Sequence, residues 1–503
     1  MIRALRCPAA RVALITASFF TTAMIFNSFA FIIFLPLVFL CYWFVFSRHK
    51  WQNAFIVVAS YIFYGWWDYR FLALIAITTA SSFASGLLID RSKGASRKLW
   101  LTANIVLNLL ILATFKYYNF FTENFTALCH QLGWNVDWPT LSIILPVGIS
   151  FYTFQALSYS IDVYQRRLPP TRDVVAFFAY ISFFPQLVAG PIERATNLLP
   201  QFLAKRSFNY AQAVDGCRQM LWGFVKKVVI ADNCAVIVNQ HWEHYQQCSG
   251  IFLMLLAVLF TFQIYCDFSG YSDIAIGCAR LFGIHLMQNF NHPYLACNIP
   301  DFWRKWHISL TSWMRDYIYF PLGGSRCGKL KTTRNVYVVW AISGLWHGAN
   351  WTFVCWGLYH ATLLTISRWL GIKAPKDNTA KQSLLPSFKT LCSIVFTFML
   401  VVVGWILFRA ESMTQAIDII KRIVSQPTQG LLLANTDKVV QCTLCCLVLI
   451  IVEWTQRHRL HALQLPATRL WRHPAARLTL YAALVALIFI YAGEVQTFIY
   501  FQF

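Results

Sequence analysis

The chain has 503 residues, 58% of them hydrophobic and only 12% charged, whereas soluble globular chains carry about a quarter charged residues; a soluble enzyme is therefore disfavoured. Its 42 Lys and Arg against 20 Asp and Glu give a formal charge of +22. The basic residues fall in short segments between apolar runs, as the positive-inside bias of membrane proteins produces, rather than on one face or tail as nucleic-acid binding requires.

From the N-terminus, Arg3, Arg6 and Arg11 precede the apolar Val12 to Ala23, so residues 1–23 read as a signal-like extension or as sequence ahead of a true start at Met24. Residues 24–503 read as one membrane-embedded domain. With about 20 apolar residues needed per crossing, about ten to twelve transmembrane helices are expected. No period-two pattern of a membrane barrel appears, so the fold class is all-α and polytopic. The first spans are Ser28 to Phe46, Trp51 to Trp67, Phe71 to Ile89, Leu99 to Phe120 and Leu141 to Val163. Their connections alternate in charge: residues 48–50, 91–98 and 164–172 are basic, while 121–140 contains no Lys or Arg. The basic loops are accordingly cytoplasmic and 121–140 lies on the other side.

Further along, residues 205–232 mix Lys205, Arg206, Arg218, Lys226 and Lys227 with apolar positions and read as an interfacial amphipathic helix. A span from Ile251 to Phe268 ends in Asp267-Phe-Ser-Gly-Tyr-Ser-Asp273. Asp301 to Arg334 and 373–389 are basic and cytoplasmic, yet Asn335 to Leu370 between them is apolar. At 1.5 Å per residue its 36 residues make roughly 54 Å of helix, too long for one crossing. With both flanks on one side it must turn back, at Ser343 to Asn350, its only polar and Gly-rich patch. Residues 456–477 are basic again, so the last span, Leu478 to Ala492, leaves Gly493 to Phe503 outside.

Irregular backbone at membrane depth is tolerated only against protein or a water-filled cavity, which places His347 inside the membrane beside a cavity. An imidazole there can take a proton from a hydroxyl and return it to a leaving group, as acyl transfer requires; packing against a carbonyl is the competing role. His307, in Asp301-Phe-Trp-Arg-Lys-Trp-His307-Ile-Ser309, reads either as a second functional imidazole or as part of an aromatic belt. Asp267 and Asp273 either orient a histidine or bind a cation, or else serve as helix caps or ion-pair partners. Arg304, Lys305 and Arg326 are candidates to meet the phosphates of an acyl donor. The 15 cysteines lie mostly in apolar stretches, where a thiol behaves as a small hydrophobe, and no metal site is expected. There is no G-x-S-x-G, P-loop or G-x-G-x-x-G pattern, which leaves serine hydrolases, P-loop enzymes and Rossmann sites without sequence support.

Several segments in order carry a resemblance: Tyr61-Ile-Phe-Tyr-Gly-Trp-Trp67, Leu145-Pro-Val-Gly-Ile-Ser-Phe-Tyr-Thr-Phe154, Phe184-Pro-Gln-Leu-Val-Ala-Gly-Pro-Ile-Glu193, Phe302-Trp-Arg-Lys-Trp-His-Ile-Ser309 and Leu345-Trp-His-Gly-Ala-Asn-Trp351. The chain resembles the membrane-bound O-acyltransferase superfamily, in its bacterial branch of alginate O-acetylases and peptidoglycan O-acetyltransferases. That likeness implies helices around a central catalytic tunnel or funnel, His347 as the catalytic histidine and His307 in the same passage. It further implies transfer of acetyl groups from a cytoplasmic donor, acetyl-CoA, to an exported polysaccharide such as alginate. A periplasmic or membrane-anchored partner transferase and an inner-membrane location follow from it, with peptidoglycan as the alternative acceptor. Asn350 or backbone N–H groups near Gly348 are expected to stabilise the oxyanion. The tail Phe498-Ile-Tyr-Phe-Gln-Phe503 is similar to an aromatic C-terminal motif of a small partner in the D-alanyl branch; Tyr500 is then either a transient acyl carrier or, with its neighbours, an interfacial anchor. A transporter of the acyl donor, or a scaffold subunit of an export complex, is the reading from a different class.

Overall fold

A computed structural model describes residues 24–142, 144–188, 190–375, 385–466, 468–493 and 496–499. The expectations for residues 1–23 and for Tyr500 lie outside them. Among the described residues the chain is helical, with a single isolated bridge between Cys248 and Leu431. Its backbone groups into two compact units. One holds the residues up to Phe115 with Ile144–Gly216 and Cys278–Leu286; the other holds Lys116–Ile143, Cys217–Gly277 and Met287–Phe503.

In the first unit the helix Leu72–Arg91 packs between Gly94–Leu112 and Ile149–Tyr164. Gly86 makes this possible: a Cβ there would lie 2.6 Å from the Tyr159 ring. The seam is polar, with Asn104 Nδ2 donating to Ser82 Oγ (3.3 Å) and to Ser160 Oγ (2.8 Å). In surroundings without water, such side chains bind helices by satisfying one another.

Among the described residues six helices are long and apolar enough to cross a bilayer: Tyr69–Arg91, Gly94–Gln131, Gly250–Leu281, Phe388–Arg409, Thr436–Thr455 and Pro474–Tyr491. This is fewer than the apolar runs suggested: Phe29–Val45 and His49–Gly65 are slightly shorter, and others are buried in protein. The run expected from Leu141 to Val163 is helical only over Ile149–Tyr164, and almost all of that helix is buried. A helix wrapped by other helices needs neither full length nor uniform apolarity. Pro474–Tyr491 is the opposite case, with no buried residue, packing along one side against Val225–Ala231.

The second unit corrects two further expectations. Residues 205–232 do not form one surface helix: 207–211 are exposed, but Tyr210–Phe224 runs through a π-turn at Val225–Ala231 into Asp232–Trp242, and Lys226 and Lys227 are buried. The span expected to end at Phe268 continues to Leu281, so Asp267 and Asp273 sit within a helix and cap nothing. The two helices cross backbone to backbone: a Cβ on Gly223 would lie 2.6 Å from the Gly270 carbonyl oxygen, and one on Gly270 2.8 Å from that of Gly223. Asp267 and Asp273 flank Gly270 by three residues, while Lys226 and Lys227 follow Gly223 by three and four, one helical turn in each case. The crossing therefore pairs Lys226 with Asp273 at 2.5 Å and Lys227 with Asp267 at 2.7 Å.

Candidate active site

The apolar stretch 335–370 folds back as expected. Lys329–His347 and Trp351–Trp369 form a helical hairpin joined at Gly348 to Asn350. Glycine permits the close crossing: a Cβ on Gly344 would meet the Phe353 carbonyl oxygen at 2.2 Å, and one on Gly357 that of Trp340 at 2.2 Å. His347 is the last residue of the first helix and is 4% exposed. Its ring is surrounded edge-on by Trp346, Trp356 and Phe408, with centroids at 5.0, 5.0 and 5.3 Å.

His307 begins the short helix Ile308–Met314 with a left-handed backbone (φ 42°), an uncommon conformation for a non-glycine residue. The turn is held by Asn289, whose Oδ1 lies 2.9 Å from His307 Nδ1 and also accepts from Ser309 Oγ at 2.9 Å. Asn289 Nδ2 in turn donates to Ser272 Oγ at 3.2 Å, which fixes the amide orientation. An amide oxygen only accepts, so Nδ1 carries the proton and Nε2 is the basic nitrogen of the neutral ring. The His307 and His347 rings are 6.5 Å apart.

Both histidines line one cavity of about 610 Å³, a size typical of small-molecule sites. Val336, Val339, Trp340, Ser343 and His347 line it along one face of the hairpin's first helix, a run of about 16 Å at 1.5 Å per residue. Arg368 and Lys373, at the far end of the antiparallel second helix and just beyond, line the same cavity, as do Arg304 and Arg315. The cavity thus runs from the basic end of the hairpin, beside Lys329, Lys331 and Arg334, to the histidines at its turn.

The other predicted residues divide. Arg304 lines the cavity while pairing with Asp301 at 3.1 Å. Lys305 pairs with Asp301 at 3.0 Å and lines a separate cavity of about 220 Å³. Arg326 is exposed and does not line the main cavity, although its neighbour Ser325 does. Asp273 accepts from Gln219 at 2.8 Å besides pairing with Lys226, and Asp267 accepts from the Ile499 backbone N–H at 2.8 Å besides pairing with Lys227. The ion-pairing role expected as one alternative is the one they fill; the residue placed against His307 is Asn289. Asn350 is a helix cap: its Oδ1 accepts from Thr352 N–H at 3.0 Å and its Nδ2 donates to the Glu411 carbonyl at 2.9 Å. Its side chain is committed to holding the turn, which corrects its assignment to an oxyanion. Just before Tyr500, Phe498 and Ile499 are buried within the protein. Phe498 is fully buried, its ring 4.4 Å from Tyr271 and 6.0 Å from Phe268, which itself stands edge-on to His307 at 4.7 Å. Among the described residues no group of three or more His, Cys, Asp or Glu is arranged to hold a metal ion.

Sequence reasoning missed Asn289 and two residues of a π-turn at Ala113–Tyr117, Lys116 and Tyr117, whose side chains reach the helix of His347. A lone lysine within an apolar run was the available signal.

Known proteins align with this arrangement. Residues 166–408 match the family described as MBOAT, membrane-bound O-acyltransferase family. The chain is 42% identical over 398 residues to the probable alginate O-acetylase AlgI of Azotobacter vinelandii, covering 78% of this chain and 76% of that one. It is 40% identical over 398 residues to the probable alginate O-acetylase AlgI of Pseudomonas aeruginosa, covering 78% and 73%. With the peptidoglycan O-acetyltransferase of Helicobacter pylori it shares 32% identity over 529 aligned positions, covering 95% of this chain and 98% of the other.

Proposed function

Because the chain belongs to the membrane-bound O-acyltransferase family, we propose that it transfers acetyl groups from a cytoplasmic thioester, acetyl-CoA, towards an exported polysaccharide of the alginate kind. The observation that carries this reading is the cavity with two histidines at its inner end and arginines and lysine at its outer end. A thioester donor carrying phosphates fits that polarity: the charged portion meets Arg304, Arg315, Arg368 and Lys373, and the acyl end reaches His347.

His347 acts as general base in this proposal. It takes the proton of the acceptor hydroxyl as the oxygen attacks the thioester carbonyl, the carbon–sulfur bond breaks, and the same proton passes to the departing thiolate. His307, held by Asn289, faces the same space and orients the acceptor or the carbonyl. With Asn350 committed to its cap, stabilising the oxyanion falls to backbone N–H groups at the Gly348–Ala349 turn. The basic loops beside the cavity are assigned to the cytoplasm by the positive-inside bias, and the membrane to the inner membrane by likeness to the bacterial O-acetylases. The described residues include no sizeable domain outside the helices to bind a polymer, so a periplasmic or membrane-anchored partner transferase completes the reaction.

Peptidoglycan is the second acceptor to consider, because the Helicobacter pylori relative aligns with nearly the whole chain. Acetate released by mild alkali from purified exopolymer and from purified muropeptides, in cells with and without the protein, separates the two. His347→Ala tests the chemistry: loss of polymer acetate at unchanged membrane content supports the role, and wild-type acetate in that variant refutes it and favours a scaffold.

A further inference from the structure

The helix that ends at His347 leaves its final carbonyls without intrahelical partners, as every helix does. Here three successive carbonyls are taken up by two adjacent side chains from a different helix. Tyr117 Oη donates to the Leu345 carbonyl at 3.0 Å, and Lys116 Nζ donates to those of Trp346 at 2.7 Å and His347 at 3.2 Å. The ammonium also stands 5.8 Å from the Trp346 ring centre. A helix C-terminus carries partial negative charge, which a cation at this position offsets.

Two features argue that this clasp is specific. Lys116 lies within Gly94–Gln131, a helix long and apolar enough to cross a bilayer, where a charged side chain is costly and marks function by default. The helix also departs from α-geometry there: Ala113–Tyr117 is a π-turn, a local insertion found chiefly at functional sites. The widened turn lets consecutive residues 116 and 117 both reach the same helix end.

We propose that Lys116, assisted by Tyr117, is a positioning residue for the transfer reaction: it clasps the end of the helix that bears His347 and thereby sets the imidazole against the cavity. The inference rests on His347 being the base. Without the clasp the last turn is free to fray, and a displacement of about 1 Å at a catalytic group can cost about 100-fold in rate.

The test uses the full-length chain in its native membrane. Lys116→Met keeps the length of the side chain and removes the charge and donors. Its polymer acetate per molecule of membrane-inserted protein is expected to fall about 100-fold, with the amount inserted unchanged. In membrane vesicles supplied with acetyl-CoA, kcat falls while the KM for acetyl-CoA stays within about twofold. Lys116→Arg, which restores a cation with donors, returns transfer to within about tenfold of wild type. Acetylation by Lys116→Met within about threefold of wild type, less than any displacement of the base predicts, overturns the proposal. Should that variant not accumulate, Tyr117→Phe decides: lowered transfer per molecule supports the clasp and unchanged transfer overturns it. His347→Ala measured in parallel separates the two readings. If it retains acetylation, the catalytic assignment fails; if it is inactive while Lys116→Met is normal, only the positioning role fails.

Discussion

Replacing Gly344 by alanine adds one methyl group at the point where the two helices of the hairpin touch. That methyl would lie 2.2 Å from the Phe353 carbonyl oxygen and 2.9 Å from its carbon, where ordinary contact begins at 3.4 Å. Both obstacles are backbone atoms, so no side-chain rotation relieves them, and the helices must separate by about 1 Å. Overpacking of this size typically costs about 1–3 kcal/mol. His347 lies three residues beyond Gly344 and shares the displacement, and a catalytic group out of place by about 1 Å can lose about 100-fold in rate. Gly344→Ala should therefore lose far more activity than folded protein. The assay is alkali-labile acetate on the exported polymer, divided by the chain present in the membrane, alongside thermal melting of the purified protein in detergent. Ile342→Ala, at a position 39% exposed, is the control and should melt within about 0.5 kcal/mol of wild type. Wild-type acetylation in Gly344→Ala would refute the claim that this crossing places the histidine.

Other outcomes follow from the same geometry. Asn289→Leu removes the partner of His307 Nδ1 and Ser309; outer-shell partners of this kind cost about 10–100-fold when lost in metal sites, and a similar fall in acetyl transfer is expected, with the Asn289→Leu, His307→Ala double variant no worse than His307→Ala alone. Arg368→Glu reverses a charge lining the basic end of the cavity and should raise the KM for acetyl-CoA in vesicles about tenfold or more while altering kcat little; an unchanged KM removes Arg368 from donor binding. Asp267→Asn leaves Lys227 with Asp232 as its remaining carboxylate partner and should lower stability by about 1.5–3 kcal/mol, as weakening a buried charged hydrogen bond does, read as melting in detergent.

The histidines were legible because each sits in a segment whose polarity interrupts an apolar run, and the length of 335–370 alone required a hairpin. What stayed hidden depended on which helices meet. Asn289 is uncharged and 18 residues from His307, and nothing in its neighbours Gln288 and Phe290 distinguishes it as a partner. Arg368 and Lys373 join the cavity only because the second helix runs antiparallel to the first, bringing them back beside Lys329. Asp267 and Asp273 look like a pair awaiting a histidine until the Gly223–Gly270 crossing supplies two lysines one helical turn away. Lys116 was visible as an oddity in its run, but its target is 230 residues away.

The consecutive lysines of the π-turn impose an order on biogenesis. Lys226 and Lys227 leave the ribosome before the helix that bears Asp267 and Asp273; Lys227 finds Asp232 five residues on in its own chain segment, whereas the carboxylate that pairs with Lys226 is Asp273 of the later helix. Lys226 gains its carboxylate partner only when that later helix arrives. Lys227 also donates to the carbonyl of Gln496 at 3.2 Å, and Ile499 donates to Asp267, so the segment that closes this network is made after every membrane helix described here. A chain stalled or cut short before Gln496 would hold both histidines and the whole cavity yet lack its latch, and membrane quality control would meet it as an unfinished protein.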